Sequence, residues 1–325
     1  MGYLDLHLHL DGAITVDIAK KLADMQGITL PGANDGDLKK KLQVSPDCTD
    51  LNEFLECFAL PCSLLQTKEA LAEAVRLVLE DCKKQGCVYV ELRYAPQLHT
   101  EQGMSQEDAV KAALDGLKKA DLKANLILCL MRGEGNEAAN EETLELAKKY
   151  LVPDGGVVAI DIAGAEGLYP TKNYREIFTK AKEAEVPFTI HAGEADGADS
   201  VRDALDFGAS RIGHGVRINE DESVVNDIIQ KNIPLEMCPT SNRQTHAVED
   251  MSTYPFIDYL NKGICVTVNT DDPAIEGTSI DKEFEYLRRE FGLTDEQKKK
   301  ILENSVQAAF TTDEVKDEIR KKIFG

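Results

Sequence analysis

Positive charge is scarce in this sequence: 37 Lys and Arg face 58 Asp and Glu, a formal net charge of −21. Such a field opposes docking onto phosphate backbones or anionic membrane surfaces, so a nucleic-acid polymer is not an expected partner, whereas a small neutral substrate is not discouraged. No apolar run approaches the length of a membrane span. The eight cysteines include no CxxC pair and several lie inside apolar helix or strand patterns, which suits reduced thiols better than a disulfide framework. A basic n-region with an apolar h-region is missing at the start, and position 6 is Leu where a myristoylation signal places Ser or Thr. These absences together lead us to expect a cytoplasmic protein. Neither GxGxxG nor GxxxxGK[ST] follows the first strand pattern, which removes dinucleotide and Walker sites and counts against a doubly wound open sheet.

What is present is a regular alternation. The 325 residues, 42% hydrophobic, are enough for two domains or for one large α/β barrel, and no linker or composition shift marks a boundary. A single domain over 1–325 is therefore expected. After a strand at the start, residues 14–84 read as helical, with Leu51, Phe54, Leu55 and Phe58 on one apolar face and a longer helix over 68–84. Strands are then expected at 87–94, 124–130, 157–163, 186–191, 211–214, 233–238 and 264–269. Helices near 106–119, 141–150, 174–184, 200–207, 221–231 and 255–261 separate them, and charged amphipathic helices fill 281–325. About eight near-continuous apolar strands with helices between them predict buried parallel strands and a (β/α)8 TIM-type barrel, with extra helices after the first strand and at the C-terminus.

Polar residues gather where such a fold places its chemistry. In Leu4-Asp5-Leu6-His7-Leu8-His9-Leu10-Asp11-Gly12-Ala13 the strand period of 2 puts His7 and His9 on one face, about 6.6 Å apart, within reach of one ion. Two imidazoles do not complete a zinc sphere, so the remaining ligands must come from other strands. The expected strands end in His191-Ala192-Gly193-Glu194, Gly213-His214-Gly215, Cys238-Pro239-Thr240-Ser241-Asn242 and Asn269-Thr270-Asp271-Asp272-Pro273, all at the end of a barrel where active sites form. His99 fits loop structure, and His246 is a candidate for a pocket rim.

These motifs, together with Glu-Leu-Arg-Tyr-Ala-Pro at 91–96 and Asp-Ile-Ala-Gly at 161–164, resemble adenosine deaminase of the metal-dependent amidohydrolase superfamily over nearly the whole chain. The resemblance implies one Zn2+ held by His7, His9, His191 and Asp271, with a position left open. Such a site lowers the pKa of a bound water from 15.7 towards about 7. It implies hydrolytic deamination of adenosine and 2'-deoxyadenosine at purine C6, in purine salvage. Glu194 would protonate N1, His214 would orient the attacking oxygen and stabilise its charge, and Asp271 would accept the water's proton. Asp272 would bond N7, the Gly164 backbone would donate to N3, and Asp11, with His9 nearby, would contact the ribose. The face bearing Leu51, Phe54, Leu55 and Phe58 would gate the pocket. Adenine deaminase, which typically carries Glu in place of Asp11, is the nearest alternative. A deaminase of a modified adenine nucleoside and a non-catalytic purine- or zinc-binding protein are the others. The oligomeric state is left open.

Overall fold

The computed structural model describes residues 2–45 and 47–325. Met1 and Pro46, which belong to the expected domain over 1–325, lie outside the described residues; Pro46 also falls within the expected helical stretch 14–84. Among the described residues eight strands succeed one another: β1 (Tyr3–His9), β2 (Cys87–Tyr94), β3 (Ala124–Met131), β4 (Val157–Ala163), β5 (Thr189–Ala192), β6 (Arg211–His214), β7 (Leu235–Met237) and β8 (Val266–Val268). They form two four-stranded parallel sheets, β1-β2-β3-β4 and β5-β6-β7-β8. Hydrogen bonds also join the sheets at both flanks. Ile160 N donates to Pro187 O (3.0 Å) beside β5, while Asp271 N donates to His7 O and His9 N donates to Asp271 O, both at 2.8 Å. Helices between consecutive strands cover the outer faces, which is why the strands read as unbroken apolar runs.

Three strands are shorter than expected. Pro187 and Pro234 have no N–H to give a ladder, so β5 and β7 begin after them. Ile264 N is instead taken by Tyr259 O at the end of the preceding helix, which delays β8. The helix expected at 141–150 starts earlier, at Glu137, and the one at 200–207 starts at Ala198. The apolar segment expected as one helix is broken into Leu51–Leu55, a 3-10 turn Glu56–Phe58 and Ala59–Ser63. Asp50 caps its start through Asn52 N and Glu53 N, whereas Pro61 cannot donate back along the helix. His99 is not a loop residue: it ends a 3-10 helix, is fully buried, and burial pushes its pKa down to about 4. No helix among the described residues is long and apolar enough to cross a membrane.

The C-terminal helices Ile280–Phe291, Asp295–Ala308 and Asp313–Phe324 are amphipathic as expected. Asn304 Nδ2 donates to Val266 O, tying the middle one to β8.

The interior between the strands is not wholly apolar. Arg211 on β6 reaches Glu236 Oε1 (2.6 Å) and Glu91 Oε2 (2.7 Å), and Arg93 on β2 reaches Glu236 Oε2 (2.9 Å) and Asp161 Oδ2 (2.7 Å). All five side chains are buried. Burial alone would raise Glu236, but the Arg93 and Arg211 charges outweigh it and hold the carboxyl well below its usual range. Breaking such a network by deleting one partner strands a buried charge. Arg211→Met is therefore expected to cost about 3–5 kcal/mol of unfolding free energy in chemical denaturation; an unchanged midpoint and slope would show that Glu91 needs no cation and that Arg93 alone suffices for Glu236.

Candidate active site

The end of β1 and the segment after β8 are stitched together, and His191 from β5 meets them, so four donor groups come to one point. His7 Nε2 lies 3.0 Å from His191 Nε2, and His9 Nε2 lies 3.3 Å from the same atom. Asp271 Oδ1 is 3.1 Å from His7 Nε2 and 3.3 Å from His9 Nε2. The backbone of Asp271 has φ +62°, and that of His214, at the end of β6, +60°. A non-glycine residue in this region costs about 1–3 kcal/mol and persists only where the surroundings impose it.

The tautomers decide what this cluster fits. His7 Nδ1 faces Glu236 Oε2 at 2.8 Å, so the proton sits on Nδ1 and the Nε2 lone pair is free. Asp161 Oδ2 lies 2.8 Å from His191 Nδ1 and assigns the same tautomer there. Two imidazole lone pairs at 3.0 Å then repel unless a cation lies between them. Burial holds His9 well below the usual imidazole range, in the neutral ligating form. Asp271, raised by burial, is brought well below its usual range by His7, His214 and His9. Donors at tetrahedral corners about 2.0–2.1 Å from one centre are about 3.3–3.4 Å apart, close to the spacings here. His7, His9, His191 and Asp271 thus have the chemistry and spacing to hold a divalent cation.

A cavity of about 220 Å³ opens over this cluster. Its walls include His9, Asp11, Gly164, His191, Glu194, His214, Asp271 and Asp272, and the apolar side chains of Leu51, Phe54, Leu55 and Phe58 face the same space. Apart from His7 and the rim candidate His246, every site residue expected from the sequence lines the cavity; His7 is fully buried against His191 and Asp271. His214 Nε2 stands 3.6 Å from Glu194 Oε2 and 3.8 Å from Asp271 Oδ2. Tyr254 donates its hydroxyl to Asn242 Oδ1 (2.9 Å), which leaves the amide Nδ2 to donate to His214 Nδ1 (3.0 Å). That forces the His214 proton onto Nε2, the nitrogen aimed between Glu194 and Asp271. Asp272 is raised well above its usual range by burial and by the neighbouring Asp271, Asp11 and Glu194 carboxylates. Its Oδ1 is buried without a partner, as is Asp11 Oδ1. Gly12 makes room for it, since a Cβ there would lie 1.7 Å from Asp272 Oδ1.

His246 is not on the cavity wall; its ring bonds Cys48 O at 2.8 Å, and the neighbouring Thr245 lines the pocket instead. The roles of Arg93, Asp161 and Glu236 escaped sequence reasoning, although a charged residue inside an apolar strand was an available signal in each case. Glu166, whose carboxylate meets the loop bearing Glu194, carried no such signal because it lies in a polar connection.

The family model described as Adenosine deaminase matches residues 3–325. The chain is 49% identical over 321 residues to the adenosine deaminase of Haemophilus ducreyi, covering 97% of this chain and 93% of that one. Among solved structures, an adenine deaminase from Arthrobacter aurescens superposes with a TM-score of 0.89 at 28% identity, covering 99% of this chain and 97% of that chain. The apo N6-methyl-AMP deaminase of Arabidopsis thaliana gives a TM-score of 0.83 at 26% identity, covering 99% and 95%.

The carboxylate behind a ligating imidazole fixes its tautomer and direction, and losing it typically costs about 10–100-fold in metal affinity. Glu236→Gln is expected to show a loss of that size, measured by competition with a chromophoric chelator. An affinity equal to that of the parent protein would detach Glu236 from the cluster.

Proposed function

Because the chain belongs to the adenosine deaminase family, we propose that it catalyses the zinc-dependent hydrolytic deamination of adenosine and 2'-deoxyadenosine, giving the inosine product and ammonia. The observation that carries this reading is the convergence of Glu194, His214 and Asp271 on one edge of a cation-ready donor set, at the floor of a largely apolar cavity. His7, His9, His191 and Asp271 would hold one Zn2+, which would supply an acidified water. The rest of the work falls to side chains. His214, with its proton on Nε2, orients the attacking oxygen and stabilises the charge that develops on it. Asp271 takes the proton that the water gives up. Glu194 delivers a proton to ring N1 as C6 becomes tetrahedral; N6 then takes the proton held by Asp271, the C6–N6 bond breaks with release of ammonia, and the C6 hydroxyl proton returns to Glu194 as the carbonyl forms.

Binding follows from donor and acceptor types. Purine N7 offers only a lone pair, so its partner must donate, and the raised pKa of Asp272 supplies a protonated carboxyl. N3 likewise needs a donor, and the Gly164 N–H serves there, the residue's φ of +106° being a conformation that glycine adopts freely. Asp11 Oδ1, left without a protein partner, is available to the ribose. Leu51, Phe54, Leu55 and Phe58 form the gate that excludes water from the reacting ring. The same reading joins both sheets into one (β/α)8 barrel spanning residues 1–325 as one domain. The hydrogen bonds at the two flanks support it, as do site residues placed at strand ends. A cytoplasmic setting is part of the proposal, supported by eight free cysteines.

A second reading, adenine deamination, draws support from the likeness to the Arthrobacter structure. Asp11 argues for the nucleoside, because adenine has no sugar for it to bind. The deciding measurement is the ultraviolet absorbance of adenosine and of adenine with the purified protein, before and after chelation and after zinc is restored. Zinc-dependent consumption of adenosine with adenine inert is the expected result. Consumption of adenine alone would leave the chemistry standing and overturn the role of Asp11, and inertness of both with zinc bound would end the deaminase reading. Glu194→Gln is expected to retain zinc while kcat falls by about 10²–10⁴-fold; near-parental turnover would exclude Glu194 as the acid.

A further inference from the structure

Glu166 sits in the loop after β4 and is 1% exposed. Its carboxylate accepts hydrogen bonds from four consecutive backbone amides across the cavity wall. Oε1 takes Gly193 N at 2.7 Å, and Oε2 takes Glu194 N (3.0 Å), Ala195 N (2.7 Å) and Asp196 N (3.1 Å). The Ser200 hydroxyl donates to Oε1 at 2.5 Å. Successive amides point to one place because Gly193 has φ +72°, a left-handed residue that turns the chain into an anion-binding concavity. A side chain there is excluded as well, since its Cβ would lie 2.7 Å from Val201 Cγ2. Such a concavity ordinarily receives a free anion; here the protein fills it with a carboxylate of its own.

The residue held in this way is the proposed proton donor. Glu194 is gripped at its N–H by Glu166 and at its C=O by Arg217 Nε (3.0 Å), and its Oε1 meets Thr245 Oγ1 at 3.0 Å. Backbone and side chain are thus restrained separately. We infer that Glu166 is a positioning residue for the reaction, its carboxylate setting the 193–196 loop so that Glu194 is aimed at the reacting ring. The inference rests on the proposed role of Glu194. Charge-assisted bonds from several amides are stronger than neutral ones, and a small misplacement of an acid is costly in the transition state. Ground-state contacts come from Asp11, Gly164 and Asp272, none of them in the 193–196 loop. Loss of the Glu166 charge should therefore lower kcat while leaving KM nearly unchanged.

Glu166→Gln tests this with little change of shape. A carboxamide has one acceptor oxygen and turns an NH2 group towards at least one of the amides that it must satisfy. For the zinc-loaded full chain, kcat on adenosine is expected to fall about 10–100-fold with KM within about threefold. Zinc content should match the parent, and hydrogen exchange should quicken at amides 193–196 but not in the strands. Ser200→Ala, which removes one donor to Glu166, should lower kcat by about two- to fivefold and serves as the deciding variant if Glu166→Gln does not fold. Turnover per zinc-loaded site within twofold of the parent, or unchanged exchange at 193–196, would overturn the inference; so would unchanged kcat in Ser200→Ala. Inertness of the parent protein towards adenosine would instead overturn the deaminase reading, and the exchange rates would still report whether Glu166 holds the loop.

Discussion

One guanidinium beneath the site sets the geometry above it. Arg93 places Nη1 2.7 Å from Asp161 and Nη2 2.9 Å from Glu236. The same oxygens of those two carboxylates stand 2.8 Å from His191 Nδ1 and His7 Nδ1. A rigid planar fork therefore spaces two carboxylates, and they orient two imidazoles. Charges this deeply buried are tolerated only when paired, so no member can move without stranding another. An apolar filling of the same volume could serve stability as well. It could not dictate which ring nitrogen carries the proton or where the lone pair points.

A second constraint lies in the backbone at the strand ends. His214 and Asp271 both have positive φ, and Gly193 turns the same way between β5 and the helix Ala198–Phe207. The turns at His214 and Asp271 send side chains into the cavity, and the turn at Gly193 sends a row of amides onto Glu166 instead of along the strand. The hydrogen bonds from Asp271 N to His7 O and from His9 N to Asp271 O hold one of these conformations in place. Strain at the site is thus borne by the ladder that joins β1 to the segment after β8.

Electrostatically, the site separates like groups into unlike states. Asp271, ringed by imidazoles, stays ionised, whereas its neighbour Asp272 is pushed towards the neutral acid by burial and surrounding carboxylates. Adjacent aspartates are thereby suited to opposite tasks, one holding a cation in its ionised form and the other donating a proton in a hydrogen bond. The net negative charge of the whole chain plays no direct part in that division; distances of a few ångströms decide it.

Much of this was legible in the one-dimensional pattern. The alternation His7-Leu8-His9, the apolar strand runs and the polar clusters at their ends depend on periods and on residue chemistry that local backbone geometry imposes. Proline-trimmed strands and the broken segment around Phe58 were less legible, because a missing N–H acts only through the partner it fails to reach. The placing of His246 on Cys48 O rather than on the cavity, and the burial of His99, depend on segments distant in the chain. Sequence alone determined which polar residues stand at the strand ends and roughly which strands present them. Only the tertiary structure decided that Arg93, Asp161 and Glu236 stand behind the imidazoles and that Glu166 fills the loop beneath Glu194, because hydrogen-bond partners and buried charge pairs are settled by packing across strands, not by spacing along them.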